Sequence, residues 1–389
     1  MHCVTNIHED LYWLGGSDRQ LAKFENVFPI PRGVSYNAYL VLDEKTVLLD
    51  TVDKAVGERF FENLEFALAG RPLDYVVVNH MEPDHCATLG ELLRRWPGAQ
   101  VVANAKTVPM VSQFFDCDIS NRAVVVKEGD TLCTGRHTFT FLMAPMVHWP
   151  EVMVTYEQSE KVLFSADGFG KFGSLSVEEP WEDEARRYFI NIVGKYGAPV
   201  QALLKKAAAL DVAMICPLHG PVLTENLEHY IGLYDTWSSY KPEDKGVLVA
   251  YASIHGNTAK AAQKFAEMLR AKGVEKVSVM DLSRDDMAEV VEDAFRYDRM
   301  VLAAASYDGG VFPCMQDFLH HLQSKAFQNR TVGIIENGTW GPTAGRTMKG
   351  ILETMKNITI VEPMVTIRST MKESDLPAME ALADVIANA

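Results

Sequence analysis

Apolar and polar positions alternate most regularly in the second half of the chain. Five apolar runs typical of buried strands are separated there by segments with helical spacing. The runs are GVLVAYAS, KVSVMDL, RMVLAAAS, TVGIIEN and ITIVEPMV, and helices are predicted over 257–272, 284–297, 313–326, 342–355 and from about 372. This alternation predicts a doubly wound, five-stranded parallel sheet, in which ligands bind beyond the carboxyl ends of the strands.

The first half has more strand candidates and fewer helices. The early candidates are spaced as hairpins, and the later ones alternate with helices, one of them predicted from Glu182 to Tyr196. The strand candidates are NAYLVLD, TVLLDT, DYVVVNH, QVVANA, TFTFLMAP, KVLFSAD and VAMICPLHG. This pattern favours mixed sheets that pack as a sandwich and are covered by helices.

A polar segment, WSSYKPEDKG, separates the halves at residues 237–246 and is followed at once by a buried-strand pattern. We therefore predict one domain over residues 1–244 and a second over 245–389.

Composition excludes several classes of protein. The net charge of −15 argues against a nucleic-acid binder, because phosphate neutralisation needs Lys and Arg. No apolar run could span a bilayer, and the N-terminus lacks a basic stretch followed by an apolar core, so we expect a cytoplasmic protein without a membrane partner. None of the six cysteines lies in a C-x-x-C pair, which argues against a fused rubredoxin-type module.

Possible metal ligands follow four strands of the first half. They are His80, Glu82, Asp84, His85, His148, Asp167 and His219. A single histidine at a strand end is usually a satisfied polar residue, but four strand ends at one edge would converge. The set suffices for two metals if Asp167 bridges them. By spacing alone, Asp84 and His85 are adjacent, point apart and should serve different positions.

The three carboxylates bear on the choice of metal. Glu82, Asp84 and Asp167 are hard oxygen ligands, and together they shift the preference from zinc towards iron or manganese. Zinc has no redox chemistry, so this donor set favours electron transfer over hydrolysis.

The segment YASIHGNTAKAA follows a strand and opens a helix, where backbone N–H groups suit a phosphate. It has no lysine in the loop, which makes a nucleoside triphosphate site improbable, and the alternative is an ordinary strand–helix turn. Two further loops, ASYDGGVFP and ENGTWGPTAG, follow the next strands.

The order H-x-[H/E]-x-D-H, followed by H, D and H, resembles the metallo-β-lactamase superfamily, whose hydrolases usually have histidine where this chain has Glu82. The glutamate version, with HWPE, ADGFG and LHGP, resembles the flavodiiron proteins over essentially the whole chain. The resemblance implies an α/β protein: a metallo-β-lactamase-like αββα sandwich followed by a flavodoxin-like doubly wound parallel sheet. It also implies FMN, two non-haem irons, and reduction of O2 to water, NO to N2O, or both.

The resemblance assigns His80, Glu82 and His148 to one iron, Asp84, His85 and His219 to the other, and Asp167 to the bridge. For His85 the alternative is a hydrogen-bond partner of a ligand. Tyr196 resembles a family tyrosine that faces the diiron pocket and could donate a hydrogen bond or proton, and the alternative is a core tyrosine.

The segment at 253–258 resembles the flavodoxin phosphate loop, with His255 in place of the usual threonine, and the two later loops resemble those that hold the flavin ring. The predicted FMN contacts are Ser253, Ile254, His255, Gly256, Asn257, Thr258, Ser306, Tyr307, Asp308, Gly309, Gly310, Asn337, Gly338, Thr339 and Trp340. Tyr307 and Trp340 are the candidate stacking aromatics.

The resemblance implies an external electron donor, such as a rubredoxin or a flavin reductase, and a head-to-tail homodimer or a dimer of dimers. In the family the FMN of one subunit lies beside the diiron site of its partner. Two alternatives remain at this point. One is a dizinc hydrolase with an appended flavodoxin domain, against which Glu82 argues. The other is an electron carrier whose first domain only docks, against which the complete ligand set argues.

Overall fold

In a computed structural model that describes residues 2–389, the contacts divide the chain into two compact units. The first unit extends to Phe189 and resumes over Ala198–Tyr234, and the second comprises Ile190–Gly197 and Asp235–Ala389. The division falls ten residues before the predicted boundary at 244, because the segment after Tyr234 already packs with the second unit. No helix within residues 2–389 is both long and apolar enough to cross a membrane.

The first unit contains two main β-sheets. Its strands are β1 (Thr5–His8), β2 (Leu11–Trp13), β3 (Gly16–Asp18), β4 (Lys23–Phe24), β5 (Phe28–Pro29), β6 (Val34–Tyr36), β7 (Tyr39–Leu42), β8 (Thr46–Leu49), β9 (Tyr75–Val77), β10 (Gln100–Asn104), β11 (Ala123–Val126), β12 (Thr131–Cys133), β13 (Thr138–Met143), β14 (Met153–Glu157), β15 (Val162–Phe164) and β16 (Met214–Cys216). One sheet has the order β1-β2-β7-β8-β9-β10-β11 and the other β12-β13-β14-β15-β16; both mix parallel and antiparallel pairs.

The two sheets bury their facing sides against each other. Val47, Leu49 and Val77 of the first sheet share a core with Phe141 and Phe164 of the second. Burial of these strands on the shared face is the main apolar stabilisation of the unit. The predicted sandwich is therefore confirmed. The structure also contains strands that the apolar runs did not reveal, namely β1 to β6, β11, β12 and β14.

Helices accompany the sheets of the first unit. They are α1 (Gly57–Leu68), α2 (Pro83–Cys86), α3 (Leu89–Arg95), α4 (Thr107–Phe114), α5 (Trp181–Tyr188), α6 (Gly197–Ala207) and α7 (Leu227–Ser238), with a 3-10 turn over Lys54–Val56. The 3-10 turn over Gly194–Tyr196, the first residue of α6 and the end of α7 after Tyr234 belong to the second unit. The helix predicted from Glu182 to Tyr196 is interrupted, because α5 passes into a π-helical turn over Phe189–Val193.

The second unit is the predicted doubly wound sheet. Its elements are β17 (Asp244–Ala252), α8 (Asn257–Ala271), β18 (Val277–Asp281), α9 (Met287–Arg296), β19 (Tyr297–Tyr307), β20 (Gly310–Val311), α10 (Pro313–Ser324), β21 (Gln328–Asn337), α11 (Ala344–Leu352), β22 (Lys356–Ile360), β23 (Val365–Ile367) and α12 (Leu376–Asn388), with a 3-10 turn over Glu373–Asp375. The parallel order β18-β17-β19-β21-β22 is the flavodoxin-like order. The run ITIVEPMV forms two short strands that both pair with β21, and Pro363 between them cannot donate to the ladder.

Candidate metal centre and flavin cleft

All seven predicted metal ligands converge at one edge of the sandwich of the first unit. Those of the HMEPDH segment follow β9 in the first sheet, and the others follow strands of the second sheet. The second set is His148 after β13, Asp167 after β15 and His219 after β16. Side chains from both sheets therefore meet at the edge that the apolar runs predicted.

The first group consists of His80, Glu82, His148 and Asp167. Nε2 of His80 lies 3.3 Å from Oε2 of Glu82 and 3.3 Å from Oδ2 of Asp167. Nε2 of His148 lies 3.0 Å from the same Glu82 oxygen and 3.2 Å from the same Asp167 oxygen. Two imidazoles and two carboxylates thus present their ligand atoms to one point.

The second group consists of Asp84, His85 and His219. Oδ2 of Asp84 lies 3.3 Å from Nε2 of His85 and 3.2 Å from Nε2 of His219. Oδ1 of Asp167 completes it at 3.0 Å from His85 and 3.7 Å from His219. Asp167 therefore turns one oxygen to each group, as a bridging carboxylate would.

The prediction from spacing that Asp84 and His85 serve different positions is wrong, since both belong to the second group. The segment is not an extended loop there, because α2 begins at Pro83 and the His85 and Cys86 amides both donate to the carbonyl of Glu82. Successive side chains in a helical turn differ in direction by about 100°, not 180°, so neighbours can reach one point. The ring of His85 turns its Nε2 towards Asp167.

Several of the converging atoms have no partner among the described residues. Both oxygens of Asp84 and of Asp167, and Nε2 of His85 and of His219, are buried and make no hydrogen bond with any of residues 2–389. Buried polar groups without partners are costly, and a bound metal ion would satisfy the atoms of this cluster. Nitrogen and carboxylate oxygen atoms in this arrangement fit a pair of transition-metal ions.

The position of His80 is fixed by residues that the sequence analysis did not identify. Asp50, in the left-handed conformation with φ 55°, accepts hydrogen bonds from the Asn79 amide at 2.7 Å and the His80 amide at 3.2 Å. Glu151 accepts from Nδ1 of His80 at 2.9 Å, which leaves Nε2 for a metal. Glu151 stands in the quoted motif HWPE, so its acidic character was a usable signal.

His219 is held differently. Its Nδ1 donates to the main-chain carbonyl of Ser35 at 2.7 Å, and the ring is packed edge-on by Phe24 and Tyr36. A histidine backed by a carbonyl carries less electron density than one backed by a carboxylate. The two metal positions are therefore unequal in their surroundings.

A tyrosine that the sequence analysis did not single out, Tyr188, lies beside the cluster. Tyr188 is buried with its ring 5.4 Å from that of His219, and burial, followed by the charges of Asp167 and Asp84, holds the pKa of its phenol well above the usual range. Tyr196 is half-buried in the 3-10 turn assigned to the second unit. The role of Tyr196 at the ligands stays a prediction.

The carboxylates dominate the electrostatics of the cluster. Burial disfavours a charged imidazole, yet Asp167 and the other acidic partners outweigh it and raise the pKa of His80 and, to about 9, that of His148. Burial also opposes ionisation of Asp167, but His80 and His85 hold its pKa well below the usual value. An electrostatic field that attracts protons this strongly also attracts metal cations.

A cleft of about 390 Å³ lies at the carboxyl ends of the strands of the second unit. Of the fifteen predicted FMN contacts, all but Gly256 and Gly310 line it, and these two glycines lie next to lining residues. The structure adds Ala305, Gly341, Thr343 and Ser369 to the wall. The Trp340 side chain is 92% exposed at the rim of the cleft. Its ring is therefore available to stack on a molecule that fills the cleft.

The cleft is built for a phosphate at one end. Gly256 has φ 86° and immediately precedes α8, whose first N–H groups point out of the helix, and its own amide donates to Ser253 Oγ at 3.1 Å. Asn337 ties the neighbouring loops together, donating to the carbonyl of Ser369 at 2.9 Å and accepting from its amide at 3.1 Å.

Comparisons with known proteins agree with this architecture. Residues 34–220 match the family described as "ODP family beta lactamase", and residues 248–358 match "Flavodoxin domain". The chain is 28% identical over 391 residues to "Nitric oxide reductase" of Moorella thermoacetica, covering 98% of this chain and 97% of that protein. It is 29% identical over 349 residues to "Anaerobic nitric oxide reductase flavorubredoxin" of Aliivibrio fischeri, covering 87% of this chain and 70% of that protein.

Solved structures lead to the same family. The fold matches rubredoxin oxygen:oxidoreductase from Desulfovibrio gigas with a TM-score of 0.92 and 25% identity, covering 99% of this chain and 98% of that one. It also shares the fold of the flavodiiron protein from Giardia intestinalis, with a TM-score of 0.88, 21% identity and coverage of 100% and 97%. The chain therefore has a metallo-β-lactamase-like domain followed by a flavodoxin domain, the arrangement of the flavodiiron structures whose fold it matches.

Proposed function

We propose that the protein passes electrons from an external donor through FMN to a non-haem diiron centre, which reduces O2 to water, NO to N2O, or both. The observation that supports this most directly is the placement of Asp167, with one oxygen in each of two ligand groups. A carboxylate shared in this way serves a pair of metals better than a single ion. The same chain also contains a flavodoxin domain.

The two ions would be iron held by the seven residues of the cluster. Glu82, Asp84 and Asp167 supply three negative charges, which nearly balance two divalent ions. Iron would supply electrons and open coordination positions for a diatomic gas. The dizinc hydrolase is not favoured, because Glu82 replaces the histidine usual in hydrolases and a flavodoxin domain has no role in hydrolysis.

Other residues would orient these ligands and donate a hydrogen bond beside them. Glu151 keeps the Nδ1 proton of His80 so that Nε2 faces the metal. Tyr188 keeps its proton at all ordinary pH values, because its pKa is held well above the usual range. Its phenol is therefore a permanent hydrogen-bond donor in the aromatic wall beside His219.

FMN would occupy the cleft of the second unit. The start of α8 and Ser253 would hold its phosphate, and the loops at 306–310 and 337–340 would enclose the ring. Bound FMN supplies electron transfer in single steps from the donor.

We further propose that the protein works as a head-to-tail homodimer or a dimer of dimers, with a rubredoxin or a flavin reductase as donor. Three apolar side chains at the rim of the flavin cleft support a partner there: Trp340, Tyr307 and Ile254 are 92%, 44% and 42% exposed. Exposed aromatic residues beside a cofactor are typical of interaction surfaces. Full multi-turnover activity in a verified monomer would contradict the dimer.

The proposed activity is tested with protein of verified iron and FMN content. The protein is reduced anaerobically, and parallel samples are mixed with O2 and with NO while gas consumption and flavin reoxidation are followed. We expect turnover of at least one gas. Consumption of neither, or full zinc occupancy with hydrolytic turnover, would overturn the proposal.

A further inference from the structure

A second cavity in the first unit has mainly apolar walls. It lies between the second sheet and helices α6 and α7, and its volume is about 400 Å³. Leu163 and Ile215 line it from the sheet, Leu204 and Ala207 from α6, and Ile231 from α7. The sheet side is fully buried, whereas Ile231 is 39% exposed and marks the open side.

Residues next in sequence to two of the metal ligands line the cavity. Val147, which immediately precedes His148, lines it, and so do Gly168 and Phe169, which directly follow Asp167. Phe169 is stacked on Tyr234 with ring centroids 4.2 Å apart. Lining residues of the cavity are therefore directly bonded through the main chain to a ligand of the first group and to the bridging carboxylate.

The polar groups in the inner wall are already engaged. Ser165 donates its hydroxyl to the carbonyl of Gly168 at 2.6 Å, and Tyr234 accepts the Phe169 amide at 2.6 Å. A polar ligand would find few free partners inside, whereas a small apolar one needs none. Enclosed apolar cavities stay dry and take up xenon or small hydrocarbons, and the buried inner part of this cavity has walls of that kind.

We propose that this cavity binds the apolar diatomic substrate and delivers it to the metal centre past Val147 and Phe169. The inference rests on the proposed function, because O2 and NO are small, weakly polar gases that partition from water into apolar surroundings. The cavity would raise their local concentration beside His148 and Asp167 while excluding water from the approach.

Helix α6 offers a matched pair of variants. Ala207→Trp places an indole inside the cavity, whereas Ala202→Trp adds the same side chain at an exposed position of the same helix that does not line it. Leu204→Phe is a milder filling variant for the case that Ala207→Trp does not fold. For each protein, crystals are pressurised with xenon, and gas reduction is measured at several gas concentrations with verified iron and FMN content.

We expect xenon in the wild-type cavity and none in the filled part of the Ala207→Trp protein. The filled variant should show a KM for gas raised several-fold with kcat nearly unchanged, whereas Ala202→Trp should behave like the wild type. An absence of xenon from the wild-type cavity, or an unchanged kcat/KM in both filling variants, would overturn the inference. If the wild type consumes neither gas, the proposed function fails, and the xenon result still decides whether the cavity takes up apolar gases.

Discussion

Glu151 should control metal binding at one of the two positions only. It is buried, and its Oε1 accepts from Nδ1 of His80 and from the Met81 amide, both at 2.9 Å. The counterpart in the second group is the carbonyl of Ser35, which holds His219. The informative change is Glu151→Gln, which keeps the shape and an acceptor oxygen but removes the charge.

The size of the effect follows from these two contacts. A hydrogen bond to a charged acceptor contributes about 1.5–3 kcal/mol, and a neutral one about half as much. The glutamine side chain of the variant therefore loses about 1 kcal/mol of hydrogen-bond energy with each of the two donors, or about 2 kcal/mol together. This corresponds to an affinity for the metal that is about 30-fold weaker. This lies within the range of roughly 10–100-fold for residues that orient metal-binding histidines.

The assay is the metal content of the variant after graded exposure to a chelator, with absorption and magnetic spectra of the remaining ion. We expect Glu151→Gln to lose one ion about 30-fold more readily than the wild type and to retain the other. Glu157→Gln is the matched control. Glu157 accepts from Nδ1 of His137 at 2.9 Å in the same unit, but His137 belongs to neither ligand group.

Two outcomes would refute this reasoning. If Glu151→Gln kept both ions with wild-type affinity, the carboxylate would not be needed to orient His80. If both ions were lost together, the two positions would not be independent, and the unequal support of His80 and His219 would have no consequence.

Three further predictions concern other parts of the molecule. Asp167→Asn should abolish gas reduction and leave at most one ion per chain by metal analysis, because one bridging charge is shared by both groups; retention of two ions would contradict it. Gly256→Ala should weaken FMN binding about tenfold in a flavin titration. A residue with a β-carbon is destabilised by about 1–2 kcal/mol at φ 86°, although no atom would clash with that carbon, and an unchanged affinity would show that the loop relaxes freely. Burial opposes the charge of His137, but Glu157 and Asp10 raise its pKa to about 9, above the ordinary 6.5. The contribution of protonated His137 to the stability of the fold is therefore complete below pH 6.5 and is lost as the pH rises through 9. The urea midpoint of the wild type should fall over this pH range, and the midpoint of His137→Gln should not show this fall.

The sequence was most informative where a local pattern has a single structural outcome. Strands of the second unit are buried on both faces and alternate with helices, so their apolar runs revealed the doubly wound sheet and the cleft at its edge. The candidate metal ligands could be found because they follow apolar runs; His148, Asp167 and His219 stand in the loops after β13, β15 and β16. Chemistry that depends on residue type, such as three carboxylates in one cluster, was also readable.

The sequence did not predict features that depend on where a helical turn begins or is interrupted. Asp84 and His85 share a group because a single helical turn begins at Pro83, and no periodicity is visible in so short a segment. Tyr188 lies beside His219 at the end of α5, and the helix predicted from Glu182 to Tyr196 is interrupted directly after it by a π-helical turn, which no apolar pattern revealed. Ser35 contributes only its main-chain carbonyl to His219, a role that no side-chain pattern can predict.

The origin of the ligands in two different sheets has a consequence for folding. His80, Glu82, Asp84 and His85 are carried by the first sheet, and His148, Asp167 and His219 by the second. Ions bound between them would act as cross-links that join the sheets across their open edge, closing loops of roughly 60 to 140 residues in the chain. Because the unfolded chain has no such site, every increment of metal affinity is also resistance of the sandwich to opening. Loss of the metal ions would therefore first lower the free energy needed to separate the two sheets.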